Sequence, residues 1–150
     1  MNEKTFIHIQ DSSLRDGSHA LSHQDTAAQV SSVARGLDDA GVEMIEVSHG
    51  DGLGGSTITY GFSKQSEMEL LQAASEVIKR GKLAVLLLPG IGTKDDLKMA
   101  ADYGARVAQI ATHVTEADIA EQHIGVGLEP PRFIGPHRQY PSCARVWQAD

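Results

Sequence analysis

Between residue 6 and about residue 124 the chain repeats one arrangement four times: a short apolar strand, a loop, and a helix-length segment with apolar residues three and four apart. Strand Phe6 to Ile9 precedes a helix from about Thr26 to Ala40, where Ala27, Val30, Val33, Ala34 and Leu37 trace one face and Gly41 stops it. Strand Met44 to Val47 precedes a helix from about Glu67 to Lys79, with Ser66 as N-cap, Glu69 completing a capping box, and Gly81 beyond the last turn. Strand Leu83 to Leu88 leads through Pro89-Gly90-Ile91-Gly92 to a helix capped by Thr93 and closed by Gly104. Strand Val107 to Ala111 leads to a fourth helix starting near Thr115. Such alternation implies parallel strands with right-handed crossovers, in a doubly wound sheet or an eight-fold (β/α) barrel. A full barrel takes about 250 residues, so four units amount to roughly half of one.

The repeat stops at Ile124. Residues 125–150 hold four of the five prolines (Pro130, Pro131, Pro136 and Pro141) and three arginines against Glu129 and Asp150. Neither strand nor helix period survives there, and dense proline removes backbone donors, so an irregular or disordered segment is expected. The chain therefore divides into 1–124 and 125–150.

Composition narrows the function classes. A net charge of −7 argues against phosphate-backbone binding, which needs clustered Lys and Arg, so no nucleic-acid partner is expected. The longest apolar run, Leu83 to Leu88, is far too short to span a bilayer. The start Met-Asn-Glu-Lys lacks a signal-peptide pattern and the lone Cys143 has no intrachain partner, so a cytoplasmic, reducing setting is expected.

Chemistry concentrates in Asp11-Ser-Ser-Leu-Arg-Asp-Gly-Ser-His-Ala20, at the end of the first strand, where parallel α/β proteins place their ligands. Asp16 and His19, three apart in a loop, could serve as metal ligand and acid–base group, or be a polar turn. Arg15 adds an always-charged fork suited to a carboxylate or enolate oxygen. In the second strand Glu46 and Ser48 share a side, opposite Ile45 and Val47. An inward Glu46 needs a partner, in Arg15 or a metal shell. The loop His49-Gly-Asp-Gly-Leu-Gly-Gly-Ser56 has dinucleotide-like glycine spacing, but the next helix starts some ten residues too late for that fold. A glycine-rich site loop or a flexible connection fits better; His49 and Asp51 could reach a ligand from it, but a solvated loop is the expectation. His113 could line the same face, His123 falls within the fourth helix, and His8, His23 and Cys143 have no evident partner.

These strings resemble the 4-hydroxy-2-oxovalerate aldolase family, metal-dependent pyruvate aldolases of the HMG-CoA lyase-like barrel superfamily. The resemblance covers about residues 5–124. Leu14-Arg-Asp-Gly17 marks the superfamily; Ile45 to Ser56, Leu86-Leu-Leu-Pro-Gly-Ile-Gly92 and Ala111-Thr-His-Val-Thr-Glu-Ala-Asp118 mark the aldolase branch. The implied fold is α/β, the amino-terminal half of a TIM (β/α)8 barrel, four βα units followed by an irregular tail. The implied reaction cleaves a 4-hydroxy-2-oxo acid to pyruvate and an aldehyde, acetaldehyde in the case of 4-hydroxy-2-oxovalerate, in aromatic-compound catabolism. A divalent metal, usually Mn2+, is implied, with Asp16 as ligand. Arg15 then faces the enolate and substrate carboxylate, Asp16 also contacts substrate through the metal, and His19 takes the C4 hydroxyl proton. An acylating acetaldehyde dehydrogenase is the implied partner.

Ser13, Ser18 and Val114 depart mildly from the family strings. A His-x-His metal pair and a late tyrosine have no counterpart in residues 125–150, where neither His137 nor Tyr140 follows a barrel strand. The abrupt change after Ile124 leads to the expectation of an amino-terminal half-enzyme with an unrelated tail, as a frameshift or misassigned reading frame would produce. Alone it should be inactive, since one carboxylate cannot hold a catalytic metal. The alternatives are another lyase or acyltransferase of the superfamily acting on a CoA thioester, and a non-catalytic half-barrel that self-associates through the open edges of strands one and four.

Overall fold

The computed structural model describes residues 8–112, 118–119, 136–137 and 144–148. In chain order its elements are β1 (Gln10–Leu14), a 3-10 helix (Asp16–Leu21), α1 (Ala27–Asp39), β2 (Met44–Val47), α2 (Glu67–Ser75), β3 (Lys82–Leu87), α3 (Lys94–Asp102), β4 (Val107–Ala111), β5 (Pro136–His137) and β6 (Ala144–Gln148). Strands β1 to β4 lie side by side in chain order, all parallel. A doubly wound sheet reverses its strand order partway, whereas a barrel adds each strand to the outside of the last. The observed order is that of a barrel segment.

Local chemistry explains the helix starts. Thr26, Ser66 and Thr93 each accept a hydrogen bond from the backbone N–H three residues on, and Gln29, Glu69 and Asp96 bond back to the cap residue's N–H. Gly41 and Gly104, at φ +83° and +100°, take the left-handed conformation just past α1 and α3. Helix α2 ends at Ser75 rather than Lys79, for a reason remote in sequence. The buried Asp38 carboxylate at the end of α1 accepts the N–H groups of Lys79 (3.0 Å), Arg80 (2.9 Å) and Gly81 (2.6 Å), which turns the chain into β3. Burial alone would raise the Asp38 pKa, but these three bonds and the nearby Arg80 cation outweigh it and hold the carboxyl below its ordinary range.

One face of the sheet packs on the helices. Ile45, Val47, Leu83, Val85, Leu87, Ala108 and Ile110 meet Val30, Ala34, Leu70, Leu71, Ala74, Leu97 and Ala100 in one continuous core. The opposite face carries Gln10, Met44, Glu46, Ala84, Leu86, Val107 and Gln109, as the register pairs them. Across this face Gln10 Nε2 on β1 donates to Gln109 Oε1 on β4 at 3.1 Å. In a flat sheet those strands would lie about 14 Å apart, three strand spacings. Their side chains meet because the sheet curls toward this face, as a barrel wall does.

Three expectations are corrected. The first strand is Gln10–Leu14, not Phe6 to Ile9. Residues 1–7 lie outside the described residues, and Ile9 is exposed. Pairing with β2 decides the strand's place despite its polar residues: it begins where Met44 N–H donates to Ile9 O, and Asp11 then faces Ile45. The segment 125–150, expected to lack strands, supplies β5 and β6. The edge of β4, expected to be open, is occupied by β6, antiparallel from Val107↔Gln148 to Ala111↔Ala144. A row of unpaired backbone groups is a template for any strand that reaches it, including the chain's own. The expected fourth helix near Thr115 and His113, His123, Tyr140 and Cys143 fall outside the described residues. No described helix is long and apolar enough to cross a membrane.

Candidate active site

The carboxyl end of β1 is shaped by a β-bulge. Three steps along β1, from Asp11 to Leu14, match two along β2, from Ile45 to Val47, and Asp11 Oδ1 accepts the Ser13 N–H at 2.9 Å within the extra residue. A bulge at a strand end re-aims the side chains that follow it. Next comes Arg15, whose Nε donates to Glu46 Oε2 at 2.8 Å and whose Nη1 donates to Asp16 Oδ1 at 2.7 Å. Glu46 is fully buried while the Asp16 side chain is 66% exposed, so the guanidinium bridges the curled face and its mouth. Burial pushes the Glu46 carboxyl up from its ordinary range, with the Arg15 cation acting in the opposite direction. Glu46 Oε1 is buried with no hydrogen-bond partner. The pairing with Arg15 that the sequence suggests for Glu46 is present, at Oε2.

The 3-10 helix then carries His19 outward and ends in two consecutive left-handed residues, Ser22 (φ 51°) and His23 (φ 59°). That backbone costs of order 1–3 kcal/mol per non-glycine residue. It turns the His23 ring inward, where three imidazoles meet. His23 stacks on His49 with centroids 3.7 Å apart, and His19 meets His23 edge-on at 4.9 Å. The hydrogen bonds fix roles. Ser18 Oγ donates to Arg15 O at 2.7 Å, so it accepts from His23 Nδ1 at 3.0 Å, which leaves the lone pair of His23 on Nε2. His49 Nδ1 accepts the Asp51 N–H at 3.1 Å, so Nε2 carries the proton and donates to Gly61 O at 3.1 Å. Burial, then the neighbouring His23, lowers the His49 pKa, and this ring is a neutral structural element.

The glycine-rich loop exists to seat these rings. A Cβ on Gly50 would lie 2.5 Å from His19 Nε2, one on Gly55 2.5 Å from His49 Nδ1, and one on Gly61 3.2 Å from His23 Cδ2. Each glycine leaves the volume that one imidazole fills. The loop is held from α2, where Glu67 Oε2 accepts the Gly54 N–H at 3.0 Å. Burial raises the Glu67 pKa, and its Oε1 is buried without a hydrogen-bond partner.

The structure thus brings Arg15, Asp16 and Glu46 into one chain of contacts, and His19, His23, His49 and Asp51 into an adjacent cluster. Sequence alone offers His8 and His23 no partner. In the fold His8 Nδ1 contacts the Glu43 carboxylate at 2.7 Å, and His23 bonds Ser18. His49, expected in solvent, is 2% exposed. The usable signal is the single His49 set among the glycines of residues 49–61, since a flexible linker needs no imidazole beside it. Donor atoms of His19, His23 and Asp51 all lie within 4.8 Å of one another, a group able to hold a metal ion.

A family model described as HMGL-like matches residues 6–126. The 4-hydroxy-2-oxovalerate aldolase of Moorella thermoacetica is 68% identical over 120 residues, covering 80% of this chain and 36% of that protein. The protein of the same name from Carboxydothermus hydrogenoformans is 58% identical over 147 residues, covering 95% and 44%, a span that runs past residue 124. 4-Hydroxy-2-oxovalerate aldolase 6 of Rhodococcus jostii is 60% identical over 123 residues, covering 82% and 35%. The chain therefore spans 35–44% of the length of these relatives.

Proposed function

The chain belongs to the HMGL-like family, and from that premise we propose that it carries the proton-transfer and oxyanion-binding part of a 4-hydroxy-2-oxo acid aldolase. The substrate is 4-hydroxy-2-oxovalerate, the name borne by relatives at 54–68% identity, and the products are pyruvate and acetaldehyde. The carrying observation is Arg15, locked at Nε by buried Glu46 and beside Asp16 at the strand end.

The roles follow from charge. His19 accepts the C4 hydroxyl proton; the C4–O bond then becomes a carbonyl as the C3–C4 bond breaks, and the released pair forms the enolate of pyruvate. Two of the five N–H donors of Arg15 are committed to Glu46 and Asp16, and the others serve the enolate oxygen, where negative charge develops. Because Glu46 fixes the guanidinium before substrate arrives, little reorganisation is needed.

For a divalent ion the donor chemistry fits in part. Asp16 presents an exposed carboxylate suited to Mn2+ or Mg2+, with further ligands required from outside the described residues. When bound, such an ion would neutralise the 2-oxo acid and its enolate. The aldehyde product is the substrate class of an acylating aldehyde dehydrogenase, which we take as partner, in a cytoplasmic aromatic-degradation setting.

A second reading is the inactive, self-associating half-barrel. It is favoured by β1, whose outer edge has no strand partner among the described residues, while β4 is covered. Pyruvate release with Mn2+ separates the two. The 150-residue chain should turn over negligibly, and a chimera supplying the remainder of the Moorella relative should approach ordinary rates, about 10 s⁻¹. Comparable turnover by the short chain would overturn the fragment reading. A folded, metal-loaded chimera without pyruvate release would overturn the aldolase reading.

A further inference from the structure

We propose that His19, His23 and Asp51 form a second metal site, distinct from the ion at Asp16, that takes a borderline divalent cation of the Zn2+, Co2+ or Ni2+ class. The donor set is two imidazoles and one carboxylate, with donor atoms all within 4.8 Å of one another. Ligands about 2.0–2.2 Å from one tetrahedral ion sit about 3.4 Å apart, so a small rotation of the exposed His19 closes the group. Three protein ligands leave one position open to water or a small anion.

A second observation points to a ligand independently of that proximity. His23 is buried, and its Nδ1–H is tied to Ser18 Oγ, itself anchored on Arg15 O. Metal-binding histidines are oriented in this way, the far nitrogen donating to a fixed acceptor so that the near lone pair faces the ion. The strained backbone at residues 22–23 holds that ring in place, and Gly61 leaves its Nε2 edge uncrowded, with a Cβ there 3.9 Å from Nε2. His49 contributes no ligand because both its nitrogens are engaged. It serves as the neutral floor on which His23 stacks.

Two imidazoles and one carboxylate disfavour Mg2+, which prefers oxygen ligands, and by the Irving–Williams order such a site holds Zn2+, Co2+ or Ni2+ more tightly than Mn2+. Occupancy would also engage the lone pair that the aldol reading gives to His19, so this ion would inhibit rather than assist proton transfer. The site stands on geometry within the chain and does not depend on the aldol reading.

The test is Co2+ binding to the untagged chain, followed by visible absorption and calorimetry, with Zn2+ as competitor. One equivalent of Co2+ should give the absorption of a four- or five-coordinate ion, displaced by Zn2+. Asp51→Asn and His23→Gln should each weaken binding by at least about 10-fold, whereas Asp16→Asn should change it by no more than about twofold. Should His23→Gln lose its far-ultraviolet dichroism, Asp51→Asn decides alone, since its partly exposed side chain is outside the core. Undiminished binding in Asp51→Asn, or its loss in Asp16→Asn, overturns the site. The Asp16 variant separates this failure from failure of the aldolase reading, which predicts the opposite dependence for Mn2+.

Discussion

Two buried polar clusters sit at opposite ends of the strands, and they are built differently. At the amino-terminal end, Asp38 gathers three backbone N–H groups from the turn into β3. At the carboxyl-terminal end, Glu46 and Glu67 each keep a buried oxygen without a hydrogen-bond partner. There, too, Ser22 and His23 hold a left-handed backbone, and three glycines leave room for imidazoles. The first arrangement fixes the chain path. The second sacrifices stability to hold side chains at the strand ends, where we place the ligand and where a (β/α) barrel puts its site.

Substitutions should separate the two ends, and the largest effect is expected at the ion pair. Arg15→Met leaves buried Glu46 without its cation and should cost about 3–5 kcal/mol in urea unfolding at neutral pH. Because burial already raises the Glu46 pKa, the variant's deficit should shrink as pH falls through that raised value and the carboxyl takes up a proton. A deficit independent of pH would mean that the pair is not what Arg15 supports.

Asp38→Ala should cost about 2–3 kcal/mol, the range for hydrogen bonds to a charged group. Here the pKa shift is the opposite one, yet the variant's deficit again shrinks in acid. The Asp38 pKa is lowered in the fold, so its contribution is present above the ordinary aspartate value and is lost as pH falls through the lower folded value. Urea midpoints of wild type and variant should converge in acid.

Much of this frame was legible in the sequence. β2 and β4 have the expected limits, and the capping box at Ser66 and Glu69 forms as its spacing implies, because these features depend on neighbours within a few residues. What escaped depended on remote partners. The polar β1 is a strand because β2 pairs with it, and α2 stops early because Asp38, about forty residues upstream, captures its exit. Arg15, Asp16 and His19 stood out by residue type, whereas His23 and His49 acquire partners only when the 3-10 helix and the glycine-rich loop come together.

Smaller effects sharpen the contrast. Ser66→Ala removes one cap and should cost about 1 kcal/mol in thermal or urea unfolding, with the histidine cluster unchanged. Gly50→Ala should cost still less, about 0.5 kcal/mol, because His19 is exposed and can swing away from the new methyl. Its consequence should instead be a shifted His19 ring resonance in NMR spectra. An unshifted His19 would show that Gly50 does not seat that ring.

The most direct test of the division between the two ends is pyruvate release by the completed chimera carrying His19→Ala or Asp38→Ala, each assayed where it is folded. His19→Ala should lose about 10²–10⁴-fold in rate, while Asp38→Ala should stay within about twofold of the parent. Equal losses in the two variants, or an unimpaired His19→Ala, would show that the two ends do not divide the work in this way.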